Sequence, residues 1–252
     1  MKTTNNTVLI TGGSAGIGLE IARQFLQHGN KVIITGRNSR RLQNAAAELG
    51  DVTAIQFDVT SAADVNALTA RLEKDFPQLN VVINNAGKGF FYTLDENAGA
   101  FDKAQDELLT NYLSIVRLNE KLLPLLKKQA EAAIVNVSSI VAFTARHTMA
   151  TYAASKAALH SYSNSLRVFL HGNTSIKVFE LMPPLVNTEL SKEIGGANGI
   201  APSVVAEDLL DGMENDRYEI RTGNTENLYR LFLSSPQEAI NYMNVLPTPA
   251  AV

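Results

Sequence analysis

Three side chains able to share a proton with a substrate oxygen lie within a short stretch of this sequence. Ser139 ends the apolar run IVNVSS, and Tyr152 and Lys156 follow in YAASK, four residues apart. On a helix this spacing places both side chains on one face. An ammonium beside a phenol favours the phenolate and lowers its pKa from about 10. We therefore expect Tyr152 to exchange a proton with a carbonyl or alcohol oxygen near neutral pH, while Ser139 hydrogen-bonds the same oxygen.

The same three residues have a simpler interpretation. A Tyr–Lys pair at this spacing is common on solvated helix faces, and a pair of serines can cap the end of a strand. Lys156 can also contact the ribose hydroxyls of a nucleotide, which is compatible with catalysis. A nucleotide site nearby would favour the catalytic interpretation.

A glycine-rich turn near the start of the chain supplies a candidate nucleotide site. The sequence TGGSAGIG, residues 11–18, follows the apolar strand TVLIT and opens a segment with helical spacing of apolar residues. Glycines at Gly12, Gly16 and Gly18 allow a tight turn and a close approach of the backbone to an anion. The helix start offers unpaired N–H groups and a positive dipole end. The turn predicts a bound pyrophosphate, with Ser14 and Ile17 as further contacts, although a glycine-rich turn can also be purely structural.

The residues after the second strand bear on the choice of cofactor. A site for NAD usually has an acidic residue about 20 residues beyond the glycine turn. Here the sequence reads TGRNSRR, residues 35–41, which offers guanidinium groups and no carboxylate. Arg37 can make a forked contact with a 2′-phosphate, which favours NADP(H) and leaves NAD(H) possible. Arg37 could also be an ordinary surface cation, and Ala15 stands where a second basic residue could have assisted.

Short β-branched runs alternate with longer helical segments along most of the chain. Predicted strands cover 7–11, 31–35, 52–57, 81–84, 133–137, 176–181 and 218–221. Predicted helices cover 16–28, 40–49, 61–76, 100–129 with a bend near Pro124, 149–171, 203–213, 227–233 and 236–243. Continuous apolar strands in such an alternation predict one doubly wound Rossmann-type α/β domain over 1–252. We expect a mostly parallel sheet of six to seven strands with helices on both faces.

Two parts of the chain are expected to differ from this framework. Residues 189–217 include a stretch rich in Gly, Ser and Asn and are predicted to be a mobile region beside the substrate. Residues 223–252 form a C-terminal tail whose final LPTPAAV is expected to be loose. The loops 90–99 and 190–200 are expected to frame the substrate pocket through Phe90, Phe91, Tyr92 and Ile194, although these aromatics could equally be core or subunit contacts.

Composition excludes several other classes of protein. The 252 residues are 45% hydrophobic and 19% charged, as in a globular domain, and 22 basic against 25 acidic residues give a net charge of −3. This balance argues against a nucleic-acid partner. With no cysteine there is no disulfide or thiolate site, and the four histidines lack metal-ligand spacing. The sequence shows no signal-peptide pattern and no run near the roughly 20 apolar residues of a membrane span, so we expect a cytoplasmic protein without a metal.

The motifs together resemble the short-chain dehydrogenase/reductase family. They are TGGSAGIG (11–18), DV (58–59), NNAG (84–87), Asn111, NVSS (136–139) and YAASK (152–156), and the spacing of 13 from Ser139 to Tyr152 is usual there. The resemblance covers about residues 5–190. It implies that Tyr152 is the acid/base, Lys156 its pKa modulator and ribose ligand, and Ser139 the group that orients the carbonyl. It implies that Asn111 holds a water linking Lys156 to solvent.

The resemblance also implies further cofactor contacts. Asp58 and Val59 would contact the adenine, and Asn85, Ala86 and Gly87 would line the cofactor channel. Alternatively, Asp58 is a turn former and Asn111 a helix-kink residue. Beyond the sixth strand, Pro183, Val186 and Thr188 match residues that reach the nicotinamide. A homodimer or homotetramer through the long helices 100–129 and 149–171 is implied as well.

Two departures from the family stand out. Pro184 occupies a position where the family usually has glycine, which removes an N–H and fixes φ near −65°. The tail lacks the family's common ending, and PPLVNTEL with EIRTGNTENLYRLFLSSP resembles a bacterial subgroup. That subgroup is named for an oxidoreductase associated with D-alanine esterification of lipoteichoic acid, a label that describes association rather than a substrate.

These observations lead to one main hypothesis and two alternatives. The main hypothesis is an oxidoreductase that uses NADP(H), or NAD(H), to transfer a hydride to or from a small carbonyl or alcohol substrate. The second is a nucleotide-binding sensor or scaffold without chemistry, motivated by Pro184 and the atypical tail. The third, an epimerase or dehydratase with tightly held NAD, is disfavoured by Arg37 and by the lack of a larger substrate domain.

Overall fold

Seven parallel strands form the centre of the molecule. The computed structural model describes residues 1–244, so the predicted loose end LPTPAAV lies outside the described residues. The strands are β1 Thr7–Ile10, β2 Lys31–Gly36, β3 Val52–Gln56, β4 Leu79–Asn84, β5 Ala132–Val137, β6 Ile176–Met182 and β7 Glu219–Arg221. Their order is β3-β2-β1-β4-β5-β6-β7, and every neighbouring pair is parallel. The predicted doubly wound Rossmann-type sheet is confirmed.

Helices cover both faces of this sheet. They are α1 Gly16–Gln27, α2 Ser39–Leu49, α3 Ala62–Asp75, α4 Ala100–Leu108, α5 Ser114–Leu126, α6 Ala150–His171, α7 Pro202–Glu214, α8 Asn224–Ser234 and α9 Pro236–Met243. Within β1, Val8 and Ile10 join a core cluster with α1, α2 and α7, whereas Leu9 joins a second cluster with α3, α5 and α6. Because alternate residues of a strand point to opposite faces, the apolar strands supply both cores at once.

The helix ends follow from local sequence. Asn38 accepts a hydrogen bond from the backbone N–H of Arg41 and caps α2, and Ser61 does the same for Asp64 in α3. Gly50 ends α2 with a φ of 85°, a conformation that residues with a Cβ rarely adopt.

The predicted helix 100–129 is wrong in its detail. A five-residue π-helical turn, Leu109–Leu113, separates α4 from α5 and contains Asn111. Pro124 lies within the last turn of α5, which ends at Leu126. The irregularity is therefore at Asn111, where side-chain contacts override the helical ladder, and not at the proline.

The segment 189–217 contains short ordered elements. Two 3₁₀ turns, Glu189–Ile194 and Gly196–Asn198, precede α7, and Val186 makes a parallel bridge with Ile200. The helix expected at 203–213 is thus present as α7. The mobility of this segment stays a prediction.

The buried centre of the sheet generates a test of stability. Leu9 is fully buried in β1, and Leu94 is 61% exposed. We expect Leu9→Ala to lower the free energy of unfolding by about 2–5 kcal/mol, because it removes buried methyl groups and leaves a cavity. The matched variant Leu94→Ala is expected to change it by about 0.5 kcal/mol or less. Urea denaturation of both variants measures the difference, and equal effects would contradict this assignment of the core.

Candidate active site

A cavity of about 550 Å³ opens at the carboxyl edge of the sheet. Its walls come from the glycine turn after β1, the ends of β2, β4, β5 and β6, and the first turns of α6. In open α/β sheets this edge, near the point where the strand order reverses between β1 and β4, is the usual ligand crevice. The fold therefore assembles the predicted motifs around one space.

The start of α1 leaves backbone donors available to that cavity. The helix begins at Gly16 after Ala15, which provides no side-chain cap, and its first turn has no acidic residue. Gly12 and Gly16 have φ values of 66° and 55° and line the cavity together with Ser14 and Ile17. Uncapped N–H groups at a helix N-terminus with positive dipole suit a pyrophosphate, so the donor set fits a dinucleotide.

The turn is held in place from β4. The Asn85 side chain donates to the backbone oxygens of Thr11 and Gly12, at 3.0 and 3.1 Å. The Thr11 hydroxyl accepts from the backbone N–H groups of Asn85 and Ala86. Asn85, Ala86 and Gly87 also line the cavity, so this segment both supports the turn and borders the space.

The end of β2 presents two arginines to the cavity. Arg37 lines it and is exposed, and Arg41 joins it from the first turn of α2. Arg41 pairs with Glu189, whereas Arg37 is in no ion pair within residues 1–244. A guanidinium without an ion-pair partner among the described residues, which could bind a 2′-phosphate, is therefore present at the end of β2.

Ser139, Tyr152 and Lys156 line the same cavity. The Ser139 hydroxyl is close enough to the phenol of Tyr152 to lower its pKa by hydrogen bonding. The Lys156 ammonium lies 5.7 Å from the centroid of the Tyr152 ring and donates to the backbone oxygen of Val137 at 2.8 Å. A Cβ added to Gly89 would lie 3.0 Å from the Tyr152 ring, so the backbone of Gly89 packs directly against that ring.

The pKa of the Tyr152 phenol differs from the expected lowered value. Burial raises the pKa of Tyr152 to about 12, the Ser139 hydrogen bond lowers it in part, and the charge of Glu107 raises it. The expected acidic phenol is thus wrong for this geometry, because loss of hydration outweighs the neighbouring groups. The phenol is protonated at neutral pH and can serve as a proton donor.

Lys156 shows the opposite shift for the same reason. It is 3% exposed, and burial lowers the pKa of its ammonium to about 8, while the negative charge of Glu180 opposes this decrease. A buried cation is retained only where oxygen partners compensate for its lost hydration. The Val137 carbonyl is the direct partner of the ammonium, and the negative charge of Glu180 favours the charged form as well.

Asn111 sits in the π-helical turn behind the cavity. It is fully buried, accepts from the backbone N–H of Lys88 at 2.8 Å, and donates to the Lys88 carbonyl and the Ser155 hydroxyl. A Cβ added to Gly87 would lie 3.5 Å from the Asn111 oxygen and 3.8 Å from the Lys156 nitrogen. Asn111 and Lys156 are therefore both close to Gly87, and Asn111 ties the π-helical turn to the loop after β4.

Most of the predicted contacts line the cavity, and three do not. The residues that line it are Gly12, Ser14, Gly16, Ile17, Arg37, Val59, Asn85, Ala86, Gly87, Ser139, Tyr152, Lys156, Pro183, Val186 and Thr188. Asn111 lies behind it, as described. Gly18 supports the turn, since an added Cβ would lie 2.4 Å from the Asn85 amide. The Asp58 carboxylate accepts from the backbone and hydroxyl of Thr60, the turn-forming alternative named for it.

The structure adds residues that sequence reasoning missed. Arg41, Thr60, Arg146, Met149 and Met243 line the cavity. Arg41 follows Arg37 by four residues on a helix start, a spacing that could have identified it. The others carry no sequence signal because they reach the cavity from separate loops and helices.

The expected aromatic frame is only partly present. Leu190 and Ile194 line the cavity, whereas Phe90, Phe91 and Tyr92 are not among its lining residues. The Tyr92 hydroxyl bonds to Thr151 at 2.8 Å instead.

A buried carboxylate lies near Ser139 and Lys156. Glu180 on β6 is fully buried, accepts from the Ser138 hydroxyl at 2.5 Å, and lies 2.8 Å from Nδ1 of His160. His160 follows Lys156 by one turn of α6. Hydrogen bonding to Glu180 raises the pKa of His160, while burial lowers it in part. Ser138, His160 and Glu180 thus connect β5, α6 and β6 beneath the cavity.

Comparison with known proteins defines the class to which this arrangement belongs. The family model described as short chain dehydrogenase matches residues 6–199. The chain belongs to the short-chain dehydrogenase/reductase family.

Individual relatives agree with this class. The chain is 40% identical over 233 residues to the uncharacterized oxidoreductase DltE of Bacillus subtilis, covering 90% of this chain and 92% of that one. This confirms the resemblance to that bacterial subgroup. It is 34% identical over 186 residues to the NADP-dependent 3-hydroxy acid dehydrogenase YdfG of Escherichia coli K12, covering 73% and 74% of the two chains.

Solved structures show the same fold. A short chain dehydrogenase from Burkholderia cenocepacia, in complex with NADP, superposes with a TM-score of 0.86 at 24% identity, covering 98% of this chain and 100% of that one. A short chain dehydrogenase/reductase from Burkholderia phymatum, in complex with NAD, gives 0.85 at 19% identity and covers both chains fully. The fold thus accommodates either dinucleotide.

Residues 1–244 contain neither a membrane-spanning helix nor a cluster of metal ligands. No helix in this range has the length and apolar character to cross a bilayer. The same residues contain no group of three or more His, Asp or Glu side chains arranged to hold a metal ion.

The pair formed by His160 and Glu180 predicts a pH-dependent contribution to stability. The pKa of folded His160 lies above its ordinary 6.5, so its protonation stabilises the fold fully below about pH 6.5. This contribution is lost as the pH rises through the raised folded-state pKa. We expect His160→Gln to cost about 1 kcal/mol more at pH 6 than at pH 9, measured by urea denaturation.

A matched substitution controls for general effects of pH. Ser161 lies exposed on α6 next to His160 and carries no ionisable group. We expect the cost of Ser161→Gln to be the same at both pH values. A His160→Gln cost that is equal at pH 6 and pH 9 would contradict the assigned ion pair.

Proposed function

We propose that this protein is an NADP(H)-dependent oxidoreductase that interconverts a carbonyl and an alcohol. One observation carries the proposal: Ser139, Tyr152 and Lys156 line the same cavity as the uncapped start of α1. A dinucleotide with its pyrophosphate at α1 would run along the carboxyl edge of the sheet toward these side chains. The cofactor would supply or accept the hydride.

The chain's own residues would orient the substrate oxygen and move one proton. Ser139 donates a hydrogen bond to that oxygen and fixes its position. The phenol of Tyr152, whose pKa is about 12, is protonated at neutral pH and gives its proton to the oxygen as negative charge develops there. An alkoxide is a stronger base than a phenolate, so this transfer is favourable in the direction of reduction. The Lys156 ammonium stabilises the resulting phenolate.

The preference for NADP(H) rests on charge at the end of β2. Arg37 and Arg41 line that end of the cavity, and Glu189, which pairs with Arg41, is the one acidic side chain among the lining residues within 1–244. Guanidinium groups suit a 2′-phosphate, whereas a ribose 2′-hydroxyl is usually bound by a carboxylate. The name of the relative YdfG, an NADP-dependent enzyme, agrees with this preference.

Two helices expose apolar side chains that bear on how copies of the chain assemble. The helices expected at a subunit interface expose large apolar side chains: Phe101, Leu113, Val168 and Phe169. We propose that they pair between copies in a homodimer or homotetramer, and that the protein works in the cytoplasm on a small carbonyl or alcohol compound.

Replacing the phenol tests the catalytic role. We expect Tyr152→Phe to lower kcat by about 10²–10⁴-fold, because the proton donor is lost while the ring remains. Initial rates of NADPH oxidation with a panel of aldehydes and ketones measure this. The control is Tyr218→Phe, the same substitution at a tyrosine whose ring packs on Phe179 outside the cavity lining, and it should keep wild-type rates. Undiminished turnover by Tyr152→Phe would overturn the mechanism, and tight NADPH binding with no turnover by wild type would favour the sensor.

Replacing Arg37 tests the choice of cofactor. We expect Arg37→Ala to raise the Kd for NADPH by about 10–100-fold, because a charge-assisted contact with the 2′-phosphate is removed. The Kd for NADH should change by about threefold or less. Fluorescence titration with each nucleotide measures both constants. Arg40→Ala, at an exposed residue outside the lining, is the matched control. An equal loss for NADPH and NADH would contradict the assignment.

A further inference from the structure

Apolar side chains line the cavity beside Tyr152. Ile140 and Met243 pack in the same hydrophobic cluster as Tyr152, and a Cβ added to Gly89 would lie 3.0 Å from the Tyr152 ring and 3.6 Å from the Met149 methyl group. We call these three cavity-lining residues the distal pocket: Ile140, Met149 and Met243. Arg146 lies in the loop that joins Ser139 to Tyr152 and lines the same cavity. This half-buried guanidinium in the cavity lining is a group that the proposed proton transfer does not use.

Arg146 keeps most of its hydrogen-bonding capacity. It is half-buried, and its Nε donates to the Thr148 hydroxyl at a long 3.4 Å. Within residues 1–244 it forms no ion pair, in contrast to Arg41, which also lines the cavity. A guanidinium has five N–H donors in a planar fork that matches the two oxygens of a carboxylate.

The backbone that carries Arg146 is fixed on both sides. Its carbonyl accepts from the N–H of Met149 at 3.0 Å in a 3₁₀ turn. The Asn244 side chain donates to the carbonyl of Ala145 at 2.7 Å and accepts from the N–H of His147 at 2.7 Å. A loop held in this way positions a cation before any ligand binds, which reduces the entropy lost on binding.

We propose that Arg146 and the distal pocket form a carboxylate subsite, so that the substrate is an oxo acid or hydroxy acid with an apolar body. This inference rests on the proposed oxidoreductase function. The carboxylate pairs with the Arg146 fork, the apolar body contacts Met149 and Met243, and the reacting oxygen faces Ser139 and Tyr152. Glu189, the one acidic residue lining the cavity within 1–244, is paired with Arg41, so the distal pocket presents no opposing carboxylate.

Pairs of substrates that differ in charge alone test this subsite. The probes are 2-oxo, 3-oxo and 4-oxo acids with a branched aliphatic body, each measured beside its methyl ester with NADPH. We expect wild-type protein to favour one of the acids over its ester, and Arg146→Leu to lower kcat/KM for that acid by about 10–100-fold. Turnover of the ester should change by about threefold or less. Because the ester reports on folding and chemistry, it serves as an internal control.

Two further variants separate charge from geometry. Arg146→Lys keeps the charge but loses the fork, so its kcat/KM for the acid should lie between wild type and Arg146→Leu. Arg71→Leu replaces an arginine that is outside the cavity lining and should retain wild-type values for both probes.

Two results would contradict the carboxylate subsite, and a third would contradict the proposed function as well. A wild-type preference for the esters, or an equal loss for acid and ester in Arg146→Leu, would overturn the carboxylate subsite and leave the oxidoreductase function standing. No turnover of either set by wild type, despite NADPH binding, would count against the proposed function and against this inference with it.

Discussion

The buried ammonium of Lys156 is the interaction around which the site is organised. Because the group is 3% exposed, an oxygen partner must replace its lost water, and the Val137 carbonyl does so, while the charge of Glu180 also favours the ammonium. Val137 ends β5, so this hydrogen bond holds the start of α6 against the carboxyl edge of the sheet. Tyr152, one helical turn earlier, is thereby placed at the cavity wall.

Charge is distributed unevenly between the whole molecule and its cavity. The chain has a net charge of −3, yet the cavity is lined by Arg37, Arg41, Arg146 and Lys156 against a single carboxylate, Glu189, among residues 1–244. Such a cavity attracts anions although the protein as a whole is acidic. The cations are also separated along the cavity: two arginines are at the end of β2, and Arg146 is in the loop before α6. This separation suits a phosphorylated cofactor together with an acidic substrate.

The π-helical turn at Leu109–Leu113 shows how the fold supports the site from behind. Asn111 bonds both backbone groups of Lys88 and the Ser155 hydroxyl, so it joins α5, α6 and the loop after β4. These bonds need the Asn111 side chain at one particular rotation about the helix axis. An extra residue in the helical turn supplies that rotation, which explains why the irregularity lies here and not at Pro124.

The sequence by itself determined the order of strands and helices, the glycine turn and the spacing of Ser139, Tyr152 and Lys156. These features depend on local periodicity and on residue types with strong conformational preferences, which neighbouring residues specify. The same signals placed Arg37 at the end of β2 and located most helices and strands to within a few residues, the exception being the predicted helix 100–129, which is divided by a π-helical turn. They also predicted the family, because each of its motifs is a short unbroken segment of the sequence.

Tertiary structure alone decided the properties that depend on distant residues. The pKa of Tyr152 is raised mainly by burial of its hydroxyl in the folded chain, an effect that the spacing between Tyr152 and Lys156 does not predict. The packing role of Gly18, the pairing of Arg41 with Glu189 and the Asn244 contacts that hold the Arg146 loop all join residues far apart in sequence. Burial and long-range pairing arise only when the chain is folded, so no local pattern encodes them.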